Sequence, residues 1–359
     1  MALFMLPHPD YAQDNNAWNQ SPEIFIGGYL DVFYAYDFNQ PEAVQRQPFL
    51  YSHNRHNEFN INHGLLSFGV EHTKYRANLG LQTGTYPNDN YSNEPGLLDM
   101  IFEANIGISL NKKDNLWLDA GVFSSFIGFE SALSIENRTL TRSISAENSP
   151  YFLTGAKVTY HPNEKWELVG SITDGWQRIQ RVQGNSLPSF GTQVYFKANE
   201  NYAFNWSTFI GTDDPDSTRR MRYFNNFYGQ FQFTDQLGLI AGFDIGAQQK
   251  EKGSSSYNVW YAITVIMHYE FTKKWAAAVR GEHYKDREGV IIQSNTPNGF
   301  NTSGFSVNAD FKPIPDLACR FEARWLKSVE DEFLKDGDPT NRNFFIVASI
   351  AYKLKKKLN

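Results

Sequence analysis

Apolar and polar side chains alternate along this chain in many short segments, and helical spacing is nearly absent. A period of two sends successive side chains to opposite faces of a strand, so each segment reads as a β-strand apolar on one face and wet on the other. In EIFIGGYLDVFYAY, residues 23–36, Ile24, Ile26, Leu30, Val32 and Tyr34 share one face, while Gly27, Tyr29 and Asp31 share the other. YRANLGLQTG sets Tyr75, Ala77, Leu79 and Leu81 against Arg76, Asn78, Gly80 and Gln82. LACRFEARW opposes Leu317, Cys319, Phe321, Ala323 and Trp325 to Arg320, Glu322 and Arg324. A strand buried on both faces would not carry such a polar row. The pattern predicts sixteen strands, near 23–36, 59–70, 75–84, 102–110, 116–123, 152–160, 166–173, 190–196, 203–210, 222–233, 237–246, 259–269, 275–284, 304–311, 317–325 and 344–352.

The connections alternate between short and long. The short ones are charged or Asn-rich, at 72–74, 111–115, 161–165, 197–201, 234–236, 272–274 and 312–316, and read as tight turns. Long polar loops fall at 37–58, 85–97, 127–150, 177–189, 211–221, 247–258, 285–303 and 327–342. Short turns at one end and long loops at the other are the pattern of a closed antiparallel transmembrane β-barrel, with the turns in the periplasm and the loops outside the cell. Closure pairs every backbone amide within hydrocarbon and leaves no open edge. Many segments hold about 8 to 12 residues, near the roughly 9 to 11 that a tilted membrane strand needs. The expected fold is therefore all-β. Residues 1–22 form an N-terminal tail, 23–353 the barrel, and 354–359 a basic C-terminal tail.

Composition sharpens this reading. The mean hydropathy is −0.50, yet aromatic residues reach 16%. A wet interior explains the first number, and Tyr and Trp gathered at two membrane interfaces explain the second. A soluble, sugar-binding β-protein would share this composition but not eight alternations of turn and loop. No apolar run is long enough for a transmembrane helix. At the start, Ala2–Leu6 and Tyr11-Ala12-Gln13 fit either a signal-peptide remnant or an ordinary disordered N-terminus. With the single cysteine Cys319, no disulfide can form within the chain. The net charge of −6 and the absence of basic runs beyond the tail Lys353, Lys355, Lys356, Lys357 give nucleic-acid binding no support.

Candidate chemistry lies on the polar faces. Asp31, Arg76, Glu103, Asp119, Lys157, Glu167, Asp244, Arg280, Glu282, Asp310, Arg320, Glu322 and Arg324 are expected to point inward. Charges are tolerable there because the lumen is wet, and they make pore-lining candidates whose acidic excess favours weak cation preference. The plainer reading is a neutralised network that stiffens the wall. For Arg280, Arg320 and Arg324, local ion pairs with Glu282 and Glu322 are favoured over a field across the pore. Loop 127–150 carries Glu130, Glu136, Asn137, Arg138, Arg142, Glu147 and Asn148 among few apolar anchors. Either it waves in solvent or it folds inward, where Glu130, Glu136, Arg138, Arg142 and Glu147 would narrow the lumen.

Other motifs carry less. Asp213, Asp214 and Asp216 in GTDDPDS lack the spacing of a calcium loop. His53, His56 and His63 match no metal-site spacing. No GxSxG elbow occurs, and Cys319 reads as a small hydrophobe on an apolar face. No catalytic residue, metal or cofactor is expected.

At residues 121–177 the chain resembles the OmpL-like β-barrel porin family of Gram-negative bacteria. The likeness rests on Gly128, Glu130, Asn137, the region of Ser143, Pro150 followed by Thr154 and Gly155, Tyr160, and the Gly175-Trp176 pair. Gly28, Tyr29, Asp31 and the Asn60–Asn62 segment extend it. Two departures stand out: KLKKKLN follows Tyr352 where such barrels often end on an aromatic residue, and Asp174 precedes Gly175-Trp176 where Asn is expected. The resemblance implies an outer-membrane porin passing small hydrophilic solutes or ions, with outer-membrane lipid as its surroundings and a homo-oligomer as an open option. Two alternatives stand beside it. One is a structural or adhesive barrel working through its long loops, and the other is a barrel lipid hydrolase.

Overall fold

The computed structural model of the protein describes residues 18–294 and 296–358. The signal-remnant reading of residues 2–13 lies outside them. In chain order the strands are β1 (Glu23–Asp37), β2 (Phe59–Glu71), β3 (Tyr75–Thr83), β4 (Ile101–Ser109), β5 (Leu116–Ser124) and β6 (Phe152–Asn163). Next come β7 (Trp166–Thr173), β8 (Ser189–Asn199), β9 (Tyr202–Gly211), β10 (Arg222–Gln232), β11 (Leu237–Gln249) and β12 (Tyr257–Glu270). The chain ends with β13 (Trp275–Asp286), β14 (Phe300–Ile314), β15 (Leu317–Ser328), β16 (Phe333–Lys335), β17 (Asp338–Thr340) and β18 (Arg342–Lys357).

Every strand pairs antiparallel with its sequence neighbour until β15, which pairs with β18, and β18 closes the ring on β1. The sixteen-stranded barrel predicted from the alternation is thus the observed one, with β16 and β17 forming a separate hairpin inside the last long loop. Both chain ends of the barrel lie on the side of the short turns, because sixteen antiparallel strands return the chain to where it began.

One boundary is corrected. Residues 354–357 are not a free tail: β18 runs to Lys357, and Phe25 stands opposite Lys357. The alternation continues through the basic run, which a hydropathy reading hides. Lys353, Lys355 and Lys357 each meet a carboxylate, on Glu136, Glu71 and Glu23.

The outer face is apolar. Leu30, Leu66, Ile106, Ile172 and Ile350 are all well exposed, an arrangement that water would penalise and lipid does not. Aromatic pairs mark both rims. Trp166–Phe196 and Trp275–Phe311 sit at the turn end with centroids 4.4 and 4.6 Å apart. Tyr34–Phe59 and Trp325–Phe344 sit at the loop end. No described helix is long and apolar enough to cross a membrane; the strands do so.

The hydrophobic core is inside the barrel and off-centre. Phe49 and Leu50 of loop 38–58, and Ile127, Leu140 and Ile144 of loop 125–151, pack with Phe33, Trp260, Phe300, Phe345 and Val347 of the wall. Two long loops therefore fold inward and fill the side formed by β1, β18 and β15 to β12. At the root of loop 125–151, the facing residues Gly121 and Gly155 both have positive φ, 124° and 150°. A Cβ at either would strike a neighbouring carbonyl, so this bend in β5 and β6 requires glycine.

Candidate functional site

Loop 125–151 enters from the extracellular end of β5 and reaches the periplasmic rim. There Arg138 pairs with Glu270 at 3.0 Å, and Glu136 pairs with Lys353. A loop this deep carries many backbone amides away from water, and each needs a partner. The wall supplies them. Glu322 Oε2 accepts from Thr141 N at 2.6 Å, Glu282 Oε2 from Ile144 N at 2.7 Å, and Asn308 Oδ1 from Leu140 N at 2.9 Å. The wall arginines take the carbonyls. Arg280 donates to Thr141 O at 2.6 Å, Arg324 to Arg142 O at 3.0 Å, and Arg320 to Ser134 O and to Asn137 O.

The same side chains neutralise one another. Arg280 meets Glu322 at 2.8 Å, Arg324 meets Glu282 at 2.6 Å, and Arg320 forks onto Asp310 at 2.8 and 2.9 Å. Strand register explains the pairing: Asp310 stands opposite Arg320, and Ser306 lies between Arg280 and Arg324 on the neighbouring strands. Arg280 and Arg324 are 0% exposed, a position where a guanidinium depends on ion pairs and hydrogen bonds; Arg280 Nε makes no hydrogen bond but lies 3.3 Å from Glu282 Oε1. Asp31 is equally buried. It accepts from Ser134 Oγ at 2.8 Å and lies 2.9 Å from His53 Nε2, so it ties both inner loops to β1.

The loop also holds itself and its neighbour. Ser143 caps the short helical turn Ile144–Glu147 by accepting from Ala146 N, and its hydroxyl and amide both bond Glu130. Arg142 lies between the rings of Tyr86 and Tyr151, at 4.2 and 4.1 Å. It also donates to Ser52, while Glu147 accepts the amides of Tyr51 and Ser52. Asp244 accepts from Asn226 at 2.6 Å, and Asn226 in turn accepts from Gly128 N near the loop's first turn.

The remaining sequence candidates lie on the opposite side of the lumen. Glu103, Asp119 and Lys157, with Arg76 and Glu167, line a cavity of about 600 Å³ along β2 to β8. Arg76 forks onto Asp119 at 2.7 and 2.6 Å. Lys157 Nζ lies 4.6 Å over the Phe123 ring, and Glu167 meets His161 at 2.9 Å. The candidate residues thus fall into two groups. Asp31, Asp244, Arg280, Glu282, Asp310, Arg320, Glu322 and Arg324 lie beneath the inner loops, whereas Arg76, Glu103, Lys157 and Glu167 line the cavity together with Asp119, itself buried under Arg76. Glu130, Arg142 and Glu147 lie within the packed loop, and Glu136 and Arg138 at its tip.

Several partners, Ser134, Thr139, Thr141 and Asn308, belong to no sequence motif, and nothing in the spacing of His53 points to its place beside Asp31. Phe49 and Leu50, apolar anchors inside a polar loop, were the available sign that loop 38–58 also turns inward. Asp213, Asp214 and Asp216 each face arginine: Arg222 at 3.7 Å, Arg220 at 2.7 Å, and Arg219.

Comparison with known proteins agrees with this architecture. The chain is similar to the outer membrane channel DcaP of Acinetobacter baumannii, at 12% identity and TM-score 0.61, over 93% of this chain and 98% of that one. It is similar to an anion-selective porin from Comamonas acidovorans, at 8% identity and TM-score 0.63, over 93% and 100%. It is also similar to the trimer form of OmpT from Vibrio cholerae, at 7% identity and TM-score 0.60, over 93% and 100%. At these identities the likeness establishes the fold. No curated protein matches the chain. Residues 23–354 match the family described as "Putative beta-barrel porin-2, OmpL-like". That match spans nearly the whole chain, and the protein belongs to this family of outer-membrane β-barrel porins.

Proposed function

We propose that the protein is a diffusion channel for small hydrophilic solutes or ions, with a weak preference for cations, whose passage runs along β2 to β8 beside loop 125–151. The observation that carries this reading is the uneven filling of the lumen. One side is packed and neutralised, and the other keeps a cavity of about 600 Å³. Among its lining charges Asp119 is matched by Arg76 at 2.6 Å and Glu71 by Lys355 at 3.4 Å, which leaves Glu103 and Glu167 against Lys157. An acidic lining in a low-dielectric wall raises the local concentration of cations. The arginines beneath the loop contribute little to that field, because each is matched by a carboxylate within 2.8 Å.

The test is conductance in a planar bilayer under a salt gradient. The expected result is discrete channels with a reversal potential of cation-selective sign, moved toward zero by Glu103→Gln with Glu167→Gln. A silent bilayer would remove the channel reading, and an anion-selective sign would remove the selectivity. A structural or adhesive role would leave the bilayer silent while the barrel remains folded.

A further inference from the structure

The outside of the barrel carries a cavity separate from the lumen. It lies at the loop end of β14, β15 and β18, beside the β16–β17 hairpin, and encloses about 550 Å³. Its floor is made of outward-facing rings. Phe305 and Trp325 are 6.0 Å apart, and Trp325 stacks on Phe344 at 4.7 Å. The hairpin is fixed above this floor by Asn39, whose side-chain amide donates to Leu334 O at 3.2 Å and to Arg342 O at 2.7 Å. The amide of Asp336 returns a bond to Asn39 O at 3.0 Å.

Three cations line this cavity: Lys327 from β15, Lys335 from the hairpin and Arg342 from β18, with no carboxylate among the lining residues. The nearest acids in sequence are Glu330, Asp331 and Glu332 after Lys327, and Asp336 and Asp338 of the hairpin, the last opposite Lys335 in register. Glu330 and Glu332 accept instead from Asn298, Ser294 and Thr296, and none of the five forms an ion pair with Lys327, Lys335 or Arg342 among the described residues. At the other end of the barrel Lys353, Lys355 and Lys357 are all paired. Basic side chains at a membrane rim can simply extend into water. Here they surround a preformed hollow with an aromatic floor at the level where lipid headgroups meet the belt of rings.

We propose that this cavity binds the phosphorylated headgroup of an outer-leaflet lipid, with Lys327, Lys335 and Arg342 donating to phosphate and Phe305, Trp325 and Phe344 bearing its apolar part. A phosphate monoester carries about −1.5 to −2 charge and offers three acceptor oxygens, which suits three unpaired donors. The planar Arg342 guanidinium can fork onto two of those oxygens, and each lysine supplies a point charge. A free phosphate would make no use of the rings. A lipid joins a charged head to an apolar body, which is the division this cavity presents.

Native mass spectrometry of the detergent-purified, delipidated protein tests this, with lipid A bearing two phosphates and its dephosphorylated counterpart as probes. The expected result is retention of the phosphorylated probe at activation energies that strip the dephosphorylated one. Substituting Lys327→Gln, Lys335→Gln and Arg342→Gln together is expected to weaken retention by about tenfold or more, as the loss of one charge-assisted contact already would. Lys273→Gln with Lys274→Gln, at a periplasmic turn, is expected to leave it unchanged. Equal retention of both probes by the unaltered protein overturns the proposal without recourse to any variant, and so does undiminished binding by the triple variant. Lipid-free oligomers that vanish in the triple variant would overturn it in favour of a second copy of this chain.

Discussion

A guanidinium without exposure is an expensive group unless its surroundings supply partners. Arg280 has four such contacts, to Thr139 Oγ1, Thr141 O, Thr141 Oγ1 and Glu322. Arg280→Met removes them and leaves Glu322 buried without its nearest counter-ion, which costs about 3–5 kcal/mol. Denaturant unfolding followed by tryptophan fluorescence should register that loss. Arg280→Met combined with Glu322→Leu should recover part of it, because the uncompensated carboxylate is gone. A single-variant effect below about 0.5 kcal/mol, the range of ordinary surface substitutions, would mean that the network does not secure the loop. In the external loops the governing quantity is pH. The Ser186 amide and the Arg219 guanidinium hold the Asp216 carboxyl down at about 2. A carboxyl depressed on folding contributes stability above its ordinary value, roughly 4, and loses it as pH falls toward the folded value. Corrected for the intrinsic pH dependence of amide exchange, protection around Ser186 and residues 214–219 should therefore fall between pH 4 and pH 2 and stay level between pH 5 and pH 7. Constant protection down to pH 2 would contradict this role of Asp216.

The elements of the barrel were largely legible in the sequence because lipid and water sort the two faces of each strand. Leu79 and Leu81 are exposed on the outside while Gln82, near the loop end of β3, is buried inside, as their alternation predicts. Legibility fails where that sorting ends. The basic run at 353–357 conceals a strand because its inward lysines are matched by carboxylates from three distant segments. The β16–β17 hairpin is three residues per strand and lies beyond the membrane, where alternation has no consequence. Loop 125–151 is the extreme case. Its position depends on acceptors and donors placed by β12 to β15, more than a hundred residues away. Deleting residues 132–146 should remove the packed side of the lumen and raise single-channel conductance, since the wall itself is closed by strand pairing and needs no loop to remain a barrel. The loss of loop contacts leaves Arg280–Glu322 and Arg320–Asp310 paired, so the shortened protein should still insert. Unchanged conductance would show that the loop does not narrow the path.

At the scale of the whole molecule, the interior is divided lengthwise. The packed half is a small protein core, with Phe33, Phe49, Leu140, Trp260 and Phe345 among its buried members. The other half is lined by Arg76, Glu103, Asp119 and Lys157 around open space. Nothing in the inward rows of the sequence separates Glu103 from Glu322. Both are acids at alternate positions of strands, and only the path of an inner loop distinguishes their surroundings. This division makes a prediction about chemical access. In a Cys319→Ser background, single cysteines placed at Glu103 or Lys157 should react quickly with a charged, membrane-impermeant thiol reagent and reduce conductance as they do so. Cysteines at Ser306 or Ser349, which are 0% and 5% exposed, should react slowly and leave the current unaltered. Cysteine is small enough to replace either serine without displacing the loop, so slow reaction there reports on burial and not on misfolding. In the 132–146 deletion, the Ser306 site should become as reactive as the Glu103 site, because the cover over it is gone. Equal rates at all four positions in the full-length chain would mean that water reaches both halves, and the proposed passage beside the loop would have to be abandoned.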